Sequence, residues 1–259
     1  MSRTMTPNLE DTGARPSRMD RRSAMRLAAD EYTRFADAVA SLGTDDWTKP
    51  TACPAWDVRQ LVCHVVGMAE MAAGVREGNR QRRIAGADAA REGIAFIDAL
   101  TDVQVRERAD WTPERAMAGA RDVAPRAARG RRWTPFFVRR RTMPVPQHVN
   151  GQQESWSIGY LVDTVLTRDT WMHRVDLADA TGSSLDLTPE HDGAIVADVV
   201  REWAERHGRP YSLTLTGPAG GSWARGHDGP TIEMDAIEFC RVVSGRGPAE
   251  GLLDIHVPF

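Results

Sequence analysis

Lysine is almost missing from this chain: Lys49 is the only one among 33 basic residues, and the rest are arginine. That bias, with the abundance of alanine and glycine, reads first as GC-rich codon usage. Cysteine is scarce as well. Cys53, Cys63 and Cys240 are odd in number and lack CxxC spacing, which argues against a disulfide framework and fits a reduced cytosolic protein. No apolar run approaches the ~20 residues that cross a bilayer, so no membrane partner is expected. Met1–Pro7 lacks the apolar core of a secretory signal, and the expected location is the cytoplasm. Net charge is only -3, which argues for neither a nucleic-acid partner nor an acidic tail. Repeats and low-complexity segments are absent. The 259 residues suffice for one large domain or two modest ones.

What is present is mostly helical periodicity. Residues 1–18 carry no hydrophobic period and are expected to form a flexible segment. Met25, Ala28, Tyr32, Phe35, Val39 and Leu42 then step by three and four, with Gly43 as a stop. Asp57 is an N-cap with Gln60 in capping-box position, and Trp56 is placed to staple onto Leu61. Val58, Leu61, Val62, Val65 and Met68 form the buried stripe of that helix, and His64 belongs to it, while Cys63 lies about 100° away. Ile94, Ile97, Asp98 and Leu100 suggest a short helix, and Thr112-Pro113-Glu114 opens another. Residues 142–151 are expected to be loop. Ser157 caps a helix whose inward face runs through Ile158, Leu161, Val162, Val165, Asp169, Met172, His173, Asp176 and Ala180, with Gly182 at its end. Beyond Gly182 a helix from Thr188 to Gly208 precedes strands at 211–216, 222–225 and 231–234, a short helix from Asp235 to Gly245, and alternation again at 252–257. The expectation is a mainly α chain: an antiparallel four-helix bundle over 19–183, then a small α/β (α+β) domain over 184–259.

Asp169 and His173 are four positions apart, so on a helix they share a face with Cβ atoms about 5–6 Å apart. His64 from a facing helix would complete a His/carboxylate/His set, the donor set of a catalytic zinc with one open position. An aspartate on a buried face needs a partner, and a metal would supply one. A hydrogen-bonded, purely structural Asp–His pair is the alternative. Asp176 either orients a histidine or ends as a surface acid. Arg121, Arg126, Arg129, Arg131, Arg132, Arg139, Arg140 and Arg141 face one acid, Asp122, and are expected to form a solvated basic face rather than a site that gathers anionic substrates or nucleic acid. Cys63 is expected to be inert packing. His148, His191, His207, His227 and His256 lack ligand spacing.

Trp47, Thr51, Cys53-Pro54-Ala55-Trp56-Asp57-Val58, Leu61, His64 and Val65 resemble the opening signature of the DinB-like, mycothiol-dependent maleylpyruvate isomerase family. Asp169 to Leu177 with Ala180-Thr181-Gly182 resembles its second signature, and Ile232 to Gly247 its third. The resemblance implies a DinB-like bundle and a divalent metal, usually Zn2+, held by His64, Asp169 and His173. It also implies mycothiol as thiol cosubstrate, activated at the open coordination position. Relatives often carry glutamate or histidine where this chain has Asp169, and the shorter aspartate implies a metal that sits closer to its helix or is held more weakly. Arg246 matches an arginine that relatives use on a substrate or thiol carboxylate; otherwise it is a helix-end cation. The expected function is thiol S-transfer to an electrophilic small molecule. Cis–trans isomerisation of a maleylpyruvate-like acid and a non-catalytic metal- or ligand-binding role are the alternatives. The oligomeric state, monomer or dimer, is left open.

Overall fold

Helix starts follow the caps that the sequence offers. The computed structural model describes residues 13–259. Asp20 accepts from Ser23 N and opens α1 (Arg21–Ala40). A 3₁₀ turn, Thr44–Thr48, precedes the Asp57/Gln60 capping box, with bonds of 2.7 and 2.9 Å, that opens α2 (Val58–Ala73). Two further helices, α3 (Val75–Glu92) and α4 (Phe96–Arg106), follow before Thr112 caps α5 (Pro113–Arg132). The short α6 (Phe136–Arg139) leads to strands β1 (Gln147–Val149) and β2 (Gln152–Glu154). Ser157 caps α7 (Ile158–Tyr160), which continues through a π-helical turn, Leu161–Val165, into α8 (Leu166–Thr181). Gly182, in the left-handed conformation at φ 71°, stops it.

The bundle is α1, α2, α5 and α8. The α1 and α8 helices run parallel, since Ser17 meets Thr164 and Glu31 meets Arg174. Likewise α2 and α5 run parallel, since Gly119 lies against Val66 and Gly130 against Ala72. The two pairs are antiparallel to each other: Cys53 meets Asp176, whereas His64 further along meets Asp169. Phe35, Leu61, Val62, Ala120 and Leu166 belong to the apolar cluster between them. The crossover from α2 to α5 is occupied by α3 and α4. The α3 helix was not anticipated, because its buried residues are Gly78, Gln81, Ala85 and Asp88, which make no apolar stripe.

After a second π-helical turn, Pro189–Gly193, come α9 (Ala194–His207), β3 (Tyr211–Thr216), β4 (Gly221–Arg225), β5 (Thr231–Asp235) and α10 (Ala236–Val243). The sheet order is β4-β3-β5, with β3 antiparallel to β4 and parallel to β5; Leu213 pairs with Trp223 on one side and Ile232 on the other. Tyr211, Leu213 and Leu215 face inward, and their apolar cluster continues through Trp203 and Val199 into Trp171, Met172 and Leu27 of the bundle.

Several expectations need correction. Residues 147–154 form a hairpin rather than loop, turned by Asn150 (φ 53°) and Gly151 (φ 72°), an Asn-Gly pair suited to a two-residue turn. Residues 252–257 make no strand: Leu253 N and Ile255 N bond back to Glu250 O and Leu252 O. The flexible segment expected over 1–18 lies outside the described residues as far as residue 12. From Arg15 the backbone is tied down, with Arg15 N on Ser155 O at 2.8 Å and Ser157 N on Arg15 O at 3.0 Å. The arginine cluster is not one solvated face. Arg131 is 1 % exposed and donates to Val162 O at 2.7 Å and Thr167 Oγ1 at 2.5 Å, and Arg139 pairs with buried Asp163. A π turn displaces carbonyls from the regular ladder, and Arg131 satisfies one of them. The remaining six arginines of the cluster are exposed. Finally, α8 has no single inward face. It is buried nearly all round, because the C-terminal unit covers the side that the bundle does not. Among the described residues no helix is long and apolar enough to cross a membrane.

Close helix contact sets a testable limit. A Cβ added at Gly130 would lie 2.2 Å from the Ala72 carbonyl oxygen, whereas Gly86, within α3, has nothing within 4 Å. Gly130→Ala is expected to destabilise the protein by ~1–3 kcal/mol through overpacking. Gly86→Ala is expected to stabilise it by up to ~1 kcal/mol through helix propensity. Urea unfolding of both variants checks the pair.

Candidate metal centre

The loop before α2 is wound tightly by its own polar groups. Thr51 Oγ1 accepts from Cys53 N at 3.1 Å and donates to Trp56 O at 2.8 Å, and Trp56 N donates to Cys53 O at 2.9 Å. This turn sets Cys53 and Trp56 beside the first turns of α2, and the Asp57 cap fixes the phase that points His64 inward. On α8, Asp169, His173 and Asp176 succeed one another by about one turn each. Past α10, Gly245 at φ 84° turns the chain back so that Arg246 reaches α8.

The three residues singled out by spacing converge. Asp169 Oδ2 lies 3.8 Å from His64 Nε2, and Asp169 Oδ1 lies 3.6 Å from His173 Nε2. One donor atom from each of the three lies within 4.8 Å of the others. These separations are too long for good hydrogen bonds, yet ligands about 2.1 Å from a tetrahedral zinc lie about 3.4 Å apart. Among the described residues, Asp169 Oδ2 is buried without a hydrogen-bond partner. A carboxylate whose two oxygens each face an imidazole nitrogen, one of them desolvated, is costly alone and well suited to a divalent cation, so the residues fit the ion. Both rings are buried, 4 % exposed each, while the Asp169 side chain keeps 20 % of its surface open.

Behind His173 stands Asp176, fully buried. His173 Nδ1 lies 3.1 Å from Asp176 Oδ2; a carboxylate can only accept, so Nδ1 carries a proton, and Nε2 faces Asp169. Arg246 grips the same carboxylate through Nε at 2.9 Å and Nη2 at 2.9 Å, while Nη1 donates to Ser244 Oγ at 3.2 Å. Asp176 is therefore no surface acid, and Arg246 is no free helix-end cation. Two of the five guanidinium N–H groups remain.

Electrostatics separates the two histidines. Burial pushes His64 below its ordinary value, and Asp169 offsets this only in part. Burial also works against the His173 charge, but the Asp169 and Asp176 carboxylates overcome it and raise that ring to about 10. For Asp169 and Asp176 the histidines and Arg246 outweigh burial, and both are held below the usual carboxylate range.

Two residues of the site were not anticipated. Trp56 stacks on His64 with ring centroids 4.7 Å apart and an interplanar angle of 30°. Cys53 Sγ lies 3.9 Å from Asp176 Oδ2, and Cys53, His173 and Asp176 form a second set of neighbouring donors. Both lie ahead of the helix, where no periodicity reports which way a side chain turns. Cys63 is the inert neighbour that was expected: burial pushes its thiol to about 11, and its Sγ lies 3.8 Å from Arg108 O. His148 is exposed on β1, away from these contacts, and His191 is buried against Glu31 at 2.7 Å.

Two histidines and a carboxylate thus converge between the paired helices of the bundle, and an arginine from the segment after α10 closes the site from behind. The family model described as the mycothiol maleylpyruvate isomerase N-terminal domain matches residues 28–178, more than half of the chain, and the protein belongs to this family. No curated protein matches the chain in sequence. Among solved structures, it is similar to a mycothiol-dependent maleylpyruvate isomerase, at 15 % identity and a TM-score of 0.54, covering 88 % of this chain and 90 % of that one. A histidine-to-alanine mutant of such an isomerase matches at 14 % identity with the same TM-score and coverage. At this identity the likeness is one of fold.

The pKa shifts define a pH window for the metal-free protein. His173 is raised from 6.5 to about 10, so its contribution to stability is complete below about pH 6.5 and is lost as pH rises toward 10. Asp169 and Asp176 are lowered, so theirs is present above about pH 4 and is lost on acidification. Chelator-treated protein should therefore lose stability between pH 6.5 and 10. Asp176→Asn should flatten that slope. Denaturation midpoints across the range check both, and an unchanged wild-type midpoint would contradict the assignment.

Proposed function

We propose that this protein is a metal-dependent enzyme that uses mycothiol as a nucleophile on an electrophilic small molecule, most simply by S-transfer. The observation that carries the reading is the convergence of His64, Asp169 and His173, with one carboxylate oxygen facing each imidazole and the one beside His64 unpartnered among the described residues. Zn2+ is the ion that this donor set suits, and a divalent cation held there would keep a coordinated thiol deprotonated at neutral pH. The chain's own groups do the rest. Asp176 holds the Nδ1 proton of His173. Arg246 neutralises Asp176 and offers its two remaining N–H groups to a carboxylate of the thiol or the substrate. Trp56 covers one face of His64 and limits water there. None of this requires a protein cysteine as nucleophile.

The family name and the isomerase neighbours support a second reading, cis–trans isomerisation of a maleylpyruvate-like acid. The same nucleophile would add to an activated double bond, allow rotation, and leave again. In either case small molecules are the partners. The three free cysteines suit the reducing cytoplasm in which such a thiol is kept. The domain division near residue 183 remains part of this proposal.

Purified protein is expected to hold about one divalent ion per chain, and His64→Ala or His173→Ala to lose it; elemental analysis reads the result. Conjugate formation between mycothiol and a panel of electrophiles should fall by at least a hundredfold in the same variants. Full metal content in both variants would refute the ligand set. Normal metal binding with no turnover of any electrophile, or of a maleyl acid, would favour a non-catalytic binding protein.

A further inference from the structure

The large apolar side chains that stand furthest into water gather at one end of the bundle. Val75, Trp133, Phe136 and Phe137 are the most exposed of them among the described residues, each at least 66 % exposed. Trp133 is also the only exposed tryptophan of the eight in the chain. Backbone contacts bring these positions together. A Cβ at Gly130 would lie 2.2 Å from Ala72 O and 2.9 Å from Ala73 O, so the end of α5 abuts the α2–α3 junction that carries Val75. Both flanks of the aromatic turn are anchored: Arg21 of α1 donates to Thr134 O at 3.2 Å, and Arg139 of α6 pairs with buried Asp163. Projecting apolar groups on a fixed frame, rimmed by polar residues, mark an interaction surface.

The rim is basic. Arg76, Arg126, Arg129, Arg132, Arg140 and Arg141 are exposed, and among the described residues none of them has an ion pair. The neighbouring acids are already engaged, Glu70 by Arg108, Glu77 by Arg80 and Asp163 by Arg139. Asp122, exposed one turn before Arg126, is the one acid among residues 121–141. Arg76 and Arg126 line the same surface cavity, and the Arg140 guanidinium lies 5.4 Å from the centre of the Phe136 ring. Uncompensated positive charge around protruding apolar groups complements a surface that is negative outside and apolar beneath. A second copy of this face would oppose charges of one sign. Stacked bases need ring faces, and Val75 has none.

We infer that this end of the bundle docks on a membrane surface of anionic lipid. The arginines bind lipid phosphates, and Trp133, Phe136, Phe137 and Val75 enter the headgroup boundary. Such a protein lies on a bilayer without crossing it, and no helix among the described residues is fit to cross. The length of apolar runs reports spanning segments and is silent on a face assembled from α5, α6 and the α2–α3 junction. The inference is independent of the metal reading.

The test uses the full chain with vesicles of phosphatidylglycerol and phosphatidylcholine in equal parts, and vesicles of phosphatidylcholine alone as the control. At about 0.1 M salt, where the Debye length is ~10 Å, the protein should sediment with the first and not with the second. Trp133→Ser, Phe136→Ser and Phe137→Ser combined should weaken sedimentation by roughly tenfold or more. These side chains already face water, so thermal melting of that variant should match wild type. Arg132→Gln and Arg140→Gln should each weaken sedimentation about fivefold. Brominated acyl chains should quench the tryptophan emission, and Trp133→Phe should remove most of that quenching while the protein still sediments. Failure to sediment with the anionic vesicles overturns the inference. So does unchanged sedimentation of the triple aromatic variant, which would leave diffuse charge attraction alone. Retention of a single-stranded oligonucleotide without vesicle binding also overturns it and gives the face to nucleic acid.

Discussion

Asp176 is wholly buried, and its carboxylate stays ionised there only because His173 and Arg246 hold it from two sides. Removing a charge from water costs several kcal/mol unless partners replace the solvent, so the three groups form a unit in which none is dispensable. That unit joins α8 of the bundle to the segment following α10. It also sets which nitrogen of His173 faces the carboxylate of Asp169. The packing of the C-terminal unit and the aim of a candidate metal ligand are therefore the same contact.

The remaining charges of α8 repeat the pattern. Arg168 is 2 % exposed and reaches Asp198 at 2.6 Å and Glu202 at 2.8 Å on α9. Arg174 binds Glu31 of α1 at 2.8 Å and Asp192 at 2.6 Å, and Asp192 also accepts from the Trp171 indole at 2.9 Å. A helix surrounded on all sides would ordinarily be apolar all round. Here paired charges replace part of that apolar surface. Losing one partner leaves the other buried and unpaired, so these pairs specify how the two parts of the chain fit more than they add stability.

Much of this could be read from residues alone, for reasons that differ along the chain. Asp57, Thr112, Ser157 and Asp235 cap helices because a short polar side chain meets free backbone N–H groups, a purely local effect. His64, Asp169 and His173 were legible because spacing along a helix determines direction. Trp56 and Cys53 were not, since they sit on a turn whose shape depends on Thr51. The α3 helix escaped because its buried positions are polar or small, and Arg131 and Arg139 escaped because charge in a sequence gives no sign of an internal partner. The 147–154 hairpin was legible in principle from Asn150-Gly151, but the neighbouring prolines hid it.

The π-helical turn at Leu161–Val165 holds one more residue than an ordinary turn, and each residue of an α-helix advances the face by about 100°. The wider turn absorbs that residue, so Asp169, His173 and Asp176 keep the bearing that an uninterrupted helix one residue shorter would give them. A one-residue deletion there would close the turn to an ordinary one and leave the donor face where it is, whereas a residue added between this turn and Asp169 would swing the imidazole of His173 by about 100°.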